Sequence, residues 1–116
     1  AKIDWIVADI TAWKPARPWQ VWHDRAVFHF LTDTASQDAY LRALHAATGP
    51  GAIAIVSGFA PDGPEKCSGL PVVRYDAASL SKRIGDAFAL LAEKREEHHT
   101  PDGAVQKFYY AVLRRR

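Results

Sequence analysis

The sequence has no methionine and a single cysteine, Cys67, in 116 residues. One cysteine excludes an internal disulfide framework and fits a reducing compartment. No apolar run approaches the roughly 18 residues of a membrane span, and no signal peptide opens the chain, so the expected location is cytoplasmic with no membrane partner. Neither sign of charge dominates: Lys and Arg number 15, Asp and Glu 13, for a net charge of +2. Three of the fifteen cations are Arg114, Arg115 and Arg116, which leaves twelve against thirteen acids elsewhere. A frayed basic tail accounts for that surplus, and nucleic acid is not an expected partner. Internal repeats and low-complexity segments are absent as well. The small Ala1 permits removal of an initiator methionine, so a short natural reading frame and a trimmed piece of a longer chain are both open.

What is present is an ordinary globular mixture, 48% apolar and 24% charged, at a length suited to one domain over residues 1–116. Residues 3–8, "IDWIVA", form a β-prone run ending at Asp9. Pro15 and Pro18 mark residues 11–20 as a connecting loop. "VWHDRAVFHFL" is β-prone at its start. Tyr40, Leu41, Leu44 and Ala47 recur at helical spacing over residues 33–48, behind Thr32, Asp33 or Thr34 as N-cap. The "GPG" at 49–51 stops that helix. "AIAIVSGF" is a continuous apolar run of the kind found in strands covered on both faces. A long Gly- and Pro-rich loop spans residues 60–74. Asp76 is a cap for a second helix with Leu80, Ile84 and Phe88 at intervals of four. Residues 89–97 and 104–114 read as a hairpin around "HHTPDG", where His98, Thr100 and Gly103 serve the turn. "VQKFYYAVL" carries apolar residues on both faces and reads as buried between layers. Helices alternating with strands indicate an α/β layer, mostly parallel, with an antiparallel C-terminal hairpin.

"WHDRAVFHFL" holds the polar residues of most interest. His23, Asp24 and Arg25 fall where a parallel strand would end, the position at which open α/β sheets bind ligands. Val27, Phe28, Phe30 and Leu31 read as packing residues. His29, alone among aromatics, is either a hydrogen-bonded structural residue or a substrate contact. Cys67 on the long loop is either a buried inert thiol or a residue activated by Lys66 and Arg74. His23, His29, Cys67, His98 and His99 are five potential metal ligands, but none has paired spacing such as CxxC or HxxxH, so no metal is expected.

Taken together, these segments resemble the C-terminal half of a class I S-adenosylmethionine-dependent methyltransferase, over nearly the whole chain. "WIVADIT" resembles the family's third strand and acidic turn, "VWHDRAVFHFL" its fourth strand and following motif, and "GPGAIAIVSGF" its fifth strand. "ALLAEKREEHHTPDGAVQKFYYAVL" resembles its sixth and seventh strands. "DRAVFHFL" is closest to bacterial small-molecule enzymes of the thiopurine methyltransferase-like kind. The resemblance implies a partial Rossmann-like sheet in a single truncated domain, with S-adenosylmethionine as cofactor. Asp9 would accept the adenine amino hydrogen, or else simply caps a turn, and Ile10 would touch the adenine face. His23 and Asp24 would face the methionine part, and Arg25 the substrate. Asp24 and Arg25 are the implied catalytic pair, and Arg25, His29 and Cys67 the implied substrate contacts.

One part of the family pattern is missing. No GxGxxG or shortened form of it occurs, so the chain carries at most half of a cofactor site. In the family's sheet the first and second strands lie between the third and fourth, and without them the fourth strand has an unpaired edge. The expected repair is homodimerisation, strand exchange, or movement of residues 3–8 onto that edge. Trp5, Trp13, Trp19 and Trp22, dense for one segment, would form an exposed interface patch. Two functions follow. One is a methyltransferase fragment for a small-molecule acceptor, with little or no activity alone. The other is a non-enzymatic remnant that binds a small ligand or metal, as a dimer.

Overall fold

The computed structural model describes residues 2–116, so Ala1 and the reading of a processed N-terminus lie outside the described residues. Strand β1 (Trp19–Arg25) leads through a 3-10 turn (Phe28–Phe30) to helix α1 (Thr34–Ala47) and strand β2 (Thr48–Phe59). A two-residue ladder, β3 (Lys66–Cys67) with β4 (Leu70–Pro71), sits inside the long loop. Helix α2 (Ala77–Ile84) and the hairpin β5 (Phe88–His99) and β6 (Val105–Arg115) complete the chain.

The caps explain where the helices begin. Asp33 accepts from Ser36 N at 2.9 Å, and Asp76 with Ser79 forms a reciprocal capping box. Helix α2 ends at Ile84 because Gly85 follows at φ +98°, so Phe88 belongs to β5 and does not extend the helical stripe. Helix α1 passes at Thr48 directly into β2, which takes in the "GPG" segment.

The main sheet has the order β1-β2-β6-β5. Only β1 and β2 are parallel; β2–β6 and β5–β6 are antiparallel. The expectation of a mostly parallel sheet is therefore corrected, and so is that of a strand over residues 3–8. Those residues form no ladder, because β propensity supplies no partner and an unpaired strand has nowhere to place its backbone hydrogen bonds. Ile3, Trp5, Ile6 and Val7 are strongly exposed. The edge of β1 is open, as expected, and residues 3–8 do not close it.

One core cluster joins both helices to one face of the sheet: Tyr40, Leu44, Leu80 and Ile84 meet Ala54, Val56, Ala111 and Leu113. Among the described residues, no helix covers the other face. There Ile53 and Ile55 of β2 and Tyr110 and Val112 of β6 are half-exposed. This corrects the reading of β6, and of β2 at Ile53 and Ile55, as buried on both sides; further along the same face of β2, Ser57 and Phe59 are buried.

Candidate functional site at the open end of the first strand

The polar end of β1 is held by a carboxylate turned inward. Asp24 is 4% exposed and accepts three hydrogen bonds: from Val27 N at 2.7 Å, Phe28 N at 3.0 Å and the Tyr40 hydroxyl at 2.5 Å. Trp22 Nε1 in turn donates to the Tyr40 oxygen at 3.0 Å. The clamp forces a sharp turn, in which Ala26 takes φ +64°, a left-handed conformation that costs a residue with a Cβ. Burial, reinforced by the Asp24 charge, raises the Tyr40 hydroxyl well above its ordinary value, so it stays a donor. Arg25, next in sequence, is exposed and makes no ion pair among the described residues.

His29 lies fully inside. Its Nδ1 accepts from Phe59 N at 3.4 Å, while Nε2 has no partner among the described residues, and burial lowers its pKa against the opposing pull of Asp24. The nearby Tyr109 hydroxyl is also buried without a partner, and burial raises its pKa. Both rings stand beside Gly58, where an added Cβ would come within 3.2 Å of His29 and 3.3 Å of Tyr109.

Asp9 opens a surface turn. Its Oδ1 accepts from Thr11 N at 2.9 Å and Thr11 Oγ1 at 2.7 Å, and these bonds lower its pKa. Oδ2 takes no hydrogen bond among the described residues. Ile10, half-buried, packs against the core. It shares a groove of about 400 Å³ with Trp13, Trp19, Val21, Trp22 and His23, along the open edge of β1. The structure thus brings Ile10 and His23 together, with the Asp9 turn adjoining. Asp24 and His29 are in the interior.

Cys67 sits apart on the β3–β4 ladder, half-buried. Arg74, a supposed activator of its thiol, is engaged with Pro61 O at 2.9 Å, Gly63 O at 3.2 Å and Glu65 at 3.8 Å. No group of three His, Cys, Asp or Glu residues that could hold a metal occurs among the described residues. No helix described is long and apolar enough to cross a membrane.

No protein-family model matches this sequence, and no curated relative does. Solved structures do match. A 1,6-didemethyltoxoflavin N1-methyltransferase from Burkholderia thailandensis, with that compound and S-adenosylhomocysteine bound, superposes with a TM-score of 0.73 at 14% identity. The match covers 95% of this chain and 49% of that one. The N-methyltransferase NodS from Bradyrhizobium japonicum, in complex with S-adenosylhomocysteine, gives 0.71 at 12% identity over 99% and 55%. A methyltransferase from Methanosarcina mazei gives 0.70 at 8% identity over 95% and 66%. The chain shares its fold with part of these S-adenosylmethionine-dependent methyltransferases. The chain spans about half the length of the first of these structures.

Within that methyltransferase fold, sequence reasoning misses the part played by Trp22 and Tyr40. Tyr40 shows itself there only as one apolar step of a helix. Its bond to a carboxylate sixteen positions earlier has no local signal.

Proposed function

We propose that the chain is the C-terminal half of a class I methyltransferase of the thiopurine methyltransferase-like, small-molecule kind. In this reading it supplies the acceptor wall and the adenine side of the cofactor site, and has little or no activity by itself. The observation that carries the reading is the groove along the open β1 edge, which places Ile10 and His23 together beside the Asp9 turn. When bound, S-adenosylmethionine would supply an activated methyl group for displacement by an acceptor nucleophile. The protein's contribution to such a displacement is positioning.

Each residue then has a part. Ile10 offers an apolar side chain to the adenine face, and the Oδ2 of Asp9 accepts the exocyclic amine. His23, on the groove wall, borders the methionine portion. Arg25, exposed at the strand end, presents a fork to a planar or anionic acceptor. Asp24 acts through position, because its carboxylate is committed to the turn that aims Arg25. His29 and Cys67 play no direct part in this arrangement: one is enclosed, and the other is held on the loop ladder.

The test is a titration of the 116-residue chain with S-adenosylhomocysteine, followed by NMR of the tryptophan indole and backbone amide signals. Half a site should bind in the millimolar range, about −4 kcal/mol, with shifts confined to Ile10, Trp13, Trp22 and His23. No shift at millimolar ligand, or shifts at residues remote from the groove, would refute the reading.

A further inference from the structure

Two polar groups of the core, His29 Nε2 and the Tyr109 hydroxyl, are enclosed and make no hydrogen bond among the described residues. Buried polar groups are satisfied in the great majority of cases, so each of these calls for a partner. Strand pairing brings them to one place. Asp24 pairs with Val56, and Val56 with Ala111; one step along the same face, Gly58 pairs with Tyr109. At that step β2 contributes only a hydrogen, and both rings lean over it: a Cβ there would meet His29 Nδ1 and Tyr109 Cε1 at 3.3 Å each.

Their hydrogen-bonding capacities are complementary. Because Nδ1 of His29 accepts from Phe59 N, the neutral ring carries its proton on Nε2, which is a donor. Burial, reinforced by the Asp24 charge, raises the Tyr109 hydroxyl, so it keeps its proton and can both donate and accept. The same charge acts on His29. Asp24 has committed three of its roughly four acceptor positions, to Val27 N, Phe28 N and Tyr40, and keeps one free.

We propose that an internal water molecule binds among His29 Nε2, the Tyr109 hydroxyl and the free acceptor position of Asp24. It accepts from His29, bonds to Tyr109 and donates to Asp24, which makes three partners, the usual number for a buried water. The donor set excludes ions: a cation would face the Nε2 proton, and an anion the Asp24 carboxylate. The water carries the Asp24 clamp across β2 to β6, so that the end of β1 is tied to Tyr109 as well as to Tyr40. The inference rests on core hydrogen bonding, independently of cofactor chemistry.

The test is magnetic relaxation dispersion of the water oxygen in a solution of the 116-residue chain. This measurement counts waters held for longer than the protein takes to tumble. The wild-type chain should hold at least one, and Tyr109→Phe, which removes only the hydroxyl, should hold one fewer. His29→Phe should show the same loss. An equal count in the wild type and both variants would overturn the proposal, as would a wild-type chain with no long-held water. A readout that needs no variant is the ring-nitrogen NMR of wild-type His29, which should show the Nε2–H tautomer. The Nδ1–H tautomer would also overturn it, since Nε2 would then have no proton to give the water.

Discussion

Replacing Asp24 by asparagine tests whether the strand end is held by a buried charge. The carboxylate receives two backbone N–H donors, at 2.7 and 3.0 Å, and the Tyr40 hydroxyl. Asparagine keeps one acceptor oxygen but turns an NH2 group toward a donor, leaving the N–H of Val27 or of Phe28 unsatisfied. A hydrogen bond to a charged group contributes roughly 1.5–3 kcal/mol and an orphaned donor costs roughly 1–3 kcal/mol, so Asp24→Asn should lose about 2–4 kcal/mol. Tyr40→Phe removes one donor to Asp24 and the acceptor for Trp22 Nε1, and should lose about 1–2 kcal/mol. Because the two residues share a bond, their losses should fail to add, with a coupling of about 1 kcal/mol in the double variant. The assay is urea unfolding followed by tryptophan fluorescence, in which Asp24→Asn should lower the midpoint by about 1–2 M at unchanged slope. Single losses under about 0.5 kcal/mol that add without coupling would refute the clamp.

Three further outcomes follow from the same geometry. Ala26 sits at φ +64°, so Ala26→Gly should raise stability by about 1 kcal/mol in urea unfolding; a loss would mean that Ala26 is unstrained. His29 has its pKa lowered by burial from 6.5, so the unfolded chain takes up a proton first as pH falls. Its contribution is fully present above about pH 6.5 and declines below it, down to the folded-state value, before the lowered carboxylates Asp33 and Asp76 come into play. His29→Phe should flatten that decline, with a residual slope from His45, and an unchanged profile would remove His29 from the account. Finally, the open β1 edge should pair with a second copy at high concentration, and light scattering with cross-linking that finds only monomer would dismiss this.

The helices are legible because their signals are local. Capping residues and periodic leucines lie within one or two turns of each other, and Asp33, Asp76, Leu44 and Leu80 carry them in plain view. The C-terminal hairpin is legible for the same reason, since a turn signal joins adjacent strands. Residues 3–8 mislead because a β-prone composition states a preference without supplying a neighbour. The site is legible only in part. His23 and Ile10 can be placed at a strand end and a turn, but whether a polar side chain at such an end points out or in depends on distant partners. Asp24 turns in because Tyr40 reaches it across the core, and no spacing rule connects the two.

The open edge and the bare face are not equal liabilities, and burial favours covering the face over pairing the edge. An added strand on β1 would gain a few backbone hydrogen bonds, each contributing only about 0.5–1.5 kcal/mol after exchange with water. It would leave Ile55, Tyr110 and Val112 as they are, since these lie on the face and away from the edge. Covering the face would finish burying Ile53, Ile55, Tyr110 and Val112 together with the exposed Val21. Full burial of such a side chain contributes about 1.5–3 kcal/mol and four of the five are already half-buried, so about 5 kcal/mol is still to be gained there. That gain is comparable to the whole stability of a small domain, roughly 5–15 kcal/mol. The larger driving force therefore lies perpendicular to the sheet. A partner that supplied only a strand would leave most of it unused.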